Sequence, residues 1–312
     1  MSKQRTYARP RLASRQLPAL PGLPLLVADH SNDKVIDLRP NTKYGVSVIK
    51  DNVLDYPELW MDVYIAGDKF EERIFAEMLV RARCARAATP EEADIVIFTG
   101  GADVSPELYD EKPHRSTHTN VARDRADIAI YERCLKGGIP MVGVCRGAQL
   151  LWVLQGGKLY QDVDHHNGDH PIFDFRKQRH IPRVSSVHHQ AVIQNKLVGE
   201  VLATASKSTE RWLDNYNVEK GKGRDVEAYF CEDTVIFGVQ GHPEYRGYNL
   251  FACWFLETCQ DLIVSNPNIS LQKFEGGISV RRLDPVITQM NCEKFLPTLE
   301  VFRSRLDKKE TV

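Results

Sequence analysis

From Trp60 onward the apolar positions alternate between two periods. "MDVYIAG" (61–67), "ADIVIFTGG" (93–101) and "IPMVGV" (139–144) are short, nearly continuous apolar runs, the pattern of strands buried on both faces. Between them, "KFEERIFAEMLVRARCAR" (69–86) carries Phe70, Ile74, Phe75, Met78 and Leu79 at helical spacing. "RDRADIAIYERCLKGG" (123–138) reads as a helix closed by glycine, and "RGAQLLWVLQGG" (146–157) as one stopped by Gly156 and Gly157. The alternation predicts an α/β fold with a mainly parallel sheet and helices on both faces.

Beyond residue 157 the periodicity weakens. "KLYQDVDHHNGDHPIFDFRKQRH" reads as loop, "SSVHHQAVI" and "LVGEVLATA" as strand material. "RDVEAYFCEDTVIFGVQGHPEY" predicts two strands turning at Glu232 and Asp233, and "YNLFACWFLETCQDLIV" (248–264) a helix that closes the fold. A turn-rich piece and a helix over "NCEKFLPTLEVFRSRLD" follow. At the other end, residues 1–22 are rich in Arg and Pro and read as a solvated tail rather than a signal peptide. "LPLLVAD" and "YGVSVIK" predict strands or a hairpin outside the main repeat. The expected division is an N-terminal tail and extension (1–58), an α/β domain (59–264) and a C-terminal extension (265–312).

Composition narrows the classes. Of 312 residues, 42% are hydrophobic and 27% charged, and the net charge of −1 asks for neither nucleic acid nor an anionic membrane as partner. No apolar run approaches a membrane span. The seven cysteines are scattered without a C-x-x-C, so the expectation is a reducing, cytoplasmic setting with no disulfide framework or zinc ribbon.

The chemistry concentrates at "GIPMVGVCRGAQLLW", where Gly143-Val144-Cys145-Arg146-Gly147 joins a predicted strand to a predicted helix. G-x-nucleophile-x-G at such a junction is a nucleophile elbow: the turn strains the central residue, and the glycines relieve crowding on either side. A helix N-terminus there favours thiolate. A lone G-x-C-x-G is more often a packed structural cysteine, so other features must carry the reading. "FTGGADV" ends a neighbouring strand. The backbone N–H of Gly101 there, with that of Arg146, can serve a developing oxyanion. "VIFGVQGHPEY" places His242 and Glu244 two apart, so that Glu244 can orient an imidazole facing Cys145.

Together "GVCRGAQLLWVLQGGKLYQD", "FTGGADVSPELY", "SSVHHQAV" and "FGVQGHPEY" resemble the class I glutamine amidotransferase-like superfamily, closest to its γ-glutamyl hydrolase (peptidase C26) branch, over roughly residues 60–262. The resemblance implies a flavodoxin-like core, Cys145 as nucleophile, His242 and Glu244 completing a triad, and Gly101 and Arg146 as oxyanion donors. It also implies a substrate-binding side formed by Gly100, Gln149, His188, His189 and Gln190. Gly241 and Trp152 depart from the family pattern, which carries Trp and Asn there.

Other polar groups compete with this set. "DHHNGDH" (164–170), near His180, His188 and His189, offers Asp164, His165, His166, Asp169 and His170 as ligands, but without helical spacing it reads as a solvated loop with no metal. Arg123-Asp124 reads structurally, as a helix-capping carboxylate with a surface charge or, as the resemblance hints, an ion pair under the site. No phosphate-binding glycine motif is present, and no cofactor is required. The expected function is hydrolysis of γ-glutamyl amide bonds in a small-molecule substrate. The alternatives are a glutaminase subunit serving a separate synthetase chain and a catalytically silent module.

Overall fold

A computed structural model of the chain describes residues 26–29 and 34–37 by backbone, and 56–67, 69–205, 210–215, 218–220, 224–245, 249–273 and 279–310. The expected tail (1–22) and the "YGVSVIK" strand lie outside the described residues. Leu26–Asp29, within the expected "LPLLVAD" strand, pairs antiparallel with Lys34–Asp37, a strand the sequence reading does not name.

The main repeat runs β1 (Asp62–Ala66), α1 (Lys69–Arg81), β2 (Ala85–Arg86), β3 (Ile95–Phe98), α2 (Val121–Gly137), β4 (Met141–Val144) and α3 (Arg146–Leu154). It continues through β5 (His170–Asp174), β6 (Arg179–Val184), β7 (Glu200–Ala205), β8 (Val226–Cys231), β9 (Ile236–Val239), α4 (Asn249–Cys259) and α5 (Pro285–Glu310). One nine-stranded sheet results, in the order β6-β5-β7-β8-β9-β4-β3-β1-β2. The β9-β4-β3-β1-β2 half is parallel. From β9 outward through β8, β7, β5 and β6 every pairing is antiparallel.

Alternate residues of each strand feed two cores. Ile95, Ile97, Val142 and Val144 face one side, where Phe75, Met78 and Leu79 of α1 and Phe251 and Phe255 of α4 cover them. Val96, Phe98 and Met141 face the other, under Ile128 and Tyr131 of α2, Leu150 and Leu151 of α3, and Phe295, Leu299 and Phe302 of α5. The α/β sheet clad on both faces is therefore as expected, with an antiparallel extension added to its parallel half.

Three elements differ from the sequence reading. The first helix ends at Arg81 because Arg83 takes a left-handed φ of 58°, and Ala85–Arg86 becomes an edge strand. The segment read as loop after residue 157 holds β5, the start of β6 and two short strand pieces, Leu159–Tyr160 and Asp162–Val163. Its polar residues mask the pattern because this edge of the sheet is half-buried. The turn-rich piece is a hairpin of Ile269–Lys273 and Ser279–Leu283.

Candidate active site

Cys145 sits at the tip of β4, between that strand and α3. Its backbone has φ 52° and ψ −115°, a strained conformation for a residue with a side chain. The surroundings impose it. A Cβ on Gly147 would overlap the Phe98 carbonyl, and one on Gly143 would meet the Ala148 backbone, so both flanking positions must be glycine for α3 to fold back tightly on β3 and β4. The Cys145 N–H is held by the Val239 carbonyl at 2.8 Å, which ties the elbow to β9. The sulfur-bearing residue is 7% exposed, at the C-terminal rim of the parallel strands.

The same rim brings in the histidine. His242 follows β9 and brings its side chain into interaction with that of Cys145. Its Nδ1 lies 2.7 Å from Glu244 Oε1, and the ring stacks on Tyr245 with centroids 4.4 Å apart. Burial opposes a charge on His242. The charge of and hydrogen bond to Cys145, followed by those of Glu244, outweigh it and push the pKa up to about 10. Ser185, which the sequence reading passed over, fixes the histidine backbone: it receives a hydrogen bond from the His242 N–H at 2.8 Å and donates one to the His242 carbonyl at 3.1 Å.

Gly100 lies against both groups. A Cβ there would stand 2.9 Å from His242 Cε1 and 3.8 Å from Cys145 Cβ. Gly101 follows with φ 140°, a conformation open to glycine. Arg146 is the first residue of α3, so its N–H has no helical carbonyl to meet. Beneath the elbow its guanidinium, 2% exposed, pairs with both Asp124 and Asp127. This corrects the reading of Asp124 as a helix cap with a surface charge beside it. The cap of α2 is Asn120, which accepts from the Arg123 N–H. Asp124 is fully buried, and Arg123 bonds Asp127, Thr99 and the Ala66 carbonyl.

The expected substrate-side residues divide. The Gln190 carbonyl accepts from Gln149 Nε2 at 3.0 Å, from Gln240 Nε2 at 3.2 Å and from His188 Nδ1 at 2.8 Å. The buried Gln190 amide has no partner among the described residues. His188 is buried and turned toward His166, with ring centroids 4.4 Å apart. Burial pushes its pKa well below the usual histidine value, so it is neutral. His189 instead bridges Asp103 and Asp162, and the hydrogen bond it donates to Asp103 leads in raising its pKa. The solvated-loop expectation for 164–170 holds for exposed His165 and Asp169 but fails for His166, which is 2% exposed. Gly241 departs from the family's Trp for want of room: a Cβ would strike the Val184 side chain and lie 2.8 Å from the Ser185 carbonyl. Trp152 is buried against Tyr229 with centroids 4.7 Å apart.

A buried sulfur beside an imidazole, whose second nitrogen is held by a carboxylate, has the parts needed for nucleophilic attack and proton return. The Peptidase C26 family model matches residues 82–244. The chain is 34% identical to protein NtpR of Enterococcus hirae over 180 residues, which span 49% of this chain and 68% of that protein. It is 33% identical to the glutamine amidotransferase-like protein YvdE of Lactococcus lactis over 166 residues, 48% of this chain and 66% of that one. It is 35% identical to the carbamoyl phosphate synthase small chain of Thioalkalivibrio sulfidiphilus over 119 residues, 38% of this chain and 27% of that one. Among the described residues no helix is long and apolar enough to cross a membrane.

Proposed function

The chain belongs to the peptidase C26 family, glutamine amidotransferase-like proteins that act on amide bonds, and from that premise we propose that it is a cysteine-dependent hydrolase of γ-glutamyl amides. The observation that carries the proposal is the contact of Cys145 with His242, whose other nitrogen is 2.7 Å from Glu244.

Cys145 thiolate attacks the side-chain carbonyl of glutamine or of a γ-glutamyl conjugate. The C=O π electrons move onto oxygen, and the N–H groups of Gly101 and Arg146 stabilise the oxyanion. Collapse breaks the C–N bond as His242, charged and steadied by Glu244, gives its proton to the departing amine or ammonia. A γ-glutamyl thioester remains. His242, now neutral, takes a proton from water. The hydroxide adds to the thioester, and glutamate leaves with Cys145 restored as thiolate. Gly100 leaves open the space next to sulfur and imidazole, and the Gln149–Gln190–Gln240 network forms one side of the glutamyl pocket.

The likeness to a carbamoyl phosphate synthase small chain supports a second reading, in which ammonia passes to a separate synthetase chain. A silent module is disfavoured by the retained Cys145, His242 and Glu244. Steady-state assays of glutamine against γ-glutamyl amines distinguish the readings. The hydrolase reading predicts amine release from γ-glutamyl amines without a partner. It also predicts a loss on the order of 10³-fold or more in Cys145→Ala. Release that survives unchanged in that variant removes the mechanism, and turnover of glutamine alone favours the amidotransferase subunit.

A further inference from the structure

Beside this site lies a cluster that the chemistry above does not use. His166 in the loop before β5, His170 at the start of β5, His188 in the 185–190 segment and Glu227 on β8 each present a ligand atom, all within 4.8 Å of one another. His166 and Glu227 side chains are 2% and 1% exposed. Each imidazole has one nitrogen against an outer oxygen: His166 Nε2 with Asp225 Oδ2 at 3.0 Å, His170 Nδ1 with the Pro171 carbonyl at 3.3 Å, and His188 Nδ1 with the Gln190 carbonyl at 2.8 Å.

A neutral imidazole has one N–H and one lone pair. Donation to those outer oxygens leaves lone pairs on His166 Nδ1, His170 Nε2 and His188 Nε2. Two of these nitrogens, His170 Nε2 and His188 Nε2, have no hydrogen-bond partner, and neither oxygen of Glu227 accepts a hydrogen bond among the described residues. His166 Nδ1 and His170 Nε2 each stand 3.4 Å from Glu227 Oε1. Ser186 Oγ is 3.3 Å from His166 Nδ1, but its hydroxyl donates to the His166 carbonyl at 2.8 Å. Lone pairs thus converge in a dry interior, an arrangement that costs free energy unless a proton or a metal ion lies among them.

We propose that His166 Nδ1, His170 Nε2, His188 Nε2 and the Glu227 carboxylate bind one divalent transition-metal ion of the zinc class. Three imidazoles and a carboxylate suit such an ion, whereas magnesium and calcium prefer oxygen donors. The outer oxygens fix tautomer and ring direction as they do in metal centres, and Asp225 is in turn paired with Arg211. His188 reaches the Gln190 carbonyl, which also holds Gln149 and Gln240. The ion therefore braces that carbonyl through His188.

The test is metal uptake by the full-length chain, stripped with chelator and titrated with zinc chloride, read by elemental analysis, calorimetry and thermal unfolding. The expected result is one zinc per chain with a raised unfolding temperature, retained in Cys145→Ala. In His170→Ala, at a partly exposed position, and in the near-isosteric Glu227→Gln, affinity should fall at least tenfold. Cobalt(II) in place of zinc should give a visible absorption band, lost in His170→Ala. No uptake by the native chain overturns the proposal. So does uptake that persists undiminished in folded His170→Ala, or that vanishes in Cys145→Ala, which would place the ion on the thiol instead.

Discussion

His242 combines opposing influences at one ring. Burial favours its neutral form, yet contact with Cys145 and Glu244 raises its pKa from an ordinary 6.5 to about 10. A raised folded-state pKa stabilises the fold while the group is protonated. This contribution is complete below pH 6.5 and fades as pH rises through about 10. The same proton is the one proposed to reach the leaving amine, so kcat/KM should fall on an alkaline limb near pH 10. Removing the sulfur in Cys145→Ala takes away the leading cause of the upward shift. An NMR titration should then show the His242 pKa dropping substantially, and an unchanged value would separate the two residues. Cys145, His242 and Glu244 were legible in the sequence because short motifs fix their spacing. Ser185 was not, since a serine that exchanges hydrogen bonds with a distant backbone leaves no local signature.

At the scale of elements, the elbow depends on how closely α3 folds onto β3 and β4. Gly147 lies against the Phe98 carbonyl, with backbone on both sides of the contact and no flexible side chain to yield. Gly147→Ala should therefore lower thermal stability markedly, by roughly 1–3 kcal/mol as overpacking does, and should reduce activity with it. A variant with native unfolding temperature would contradict the packing described. The strand–helix repeat up to residue 154 was readable because buried parallel strands are almost wholly apolar. β5 and β6 were hidden, because "HPIFD" and "RHIPRV" alternate buried and open positions with charged residues between them. For Asp124 the sequence left a helix cap and an ion pair under the site both open, because only the tertiary fold brings Arg146 to it, 22 positions away.

Across the whole molecule, α5 closes one face of the sheet. Phe295, Leu299, Phe302 and Leu306 are buried with residues of α2 and α3. Each such side chain contributes about 1.5–3 kcal/mol, and a domain's net stability is only about 5–15 kcal/mol. Truncation after Asp284 should thus leave the chain unfolded or aggregated, as circular dichroism and sedimentation would report. A truncated form that unfolds cooperatively at the native temperature would show that α5 is dispensable. The sequence reading set residues 265–312 apart as an extension because their apolar positions complete a core formed by distant segments rather than one of their own.

The central claim is that Cys145 becomes acylated during turnover. Rapid acid quench of the native protein with a γ-glutamyl amide, followed by peptide mass spectrometry, measures this directly. The account predicts a γ-glutamyl adduct on the peptide carrying Cys145, absent in Cys145→Ala. Turnover with no adduct on that peptide, or an adduct on any of the other six cysteines in its place, would contradict it.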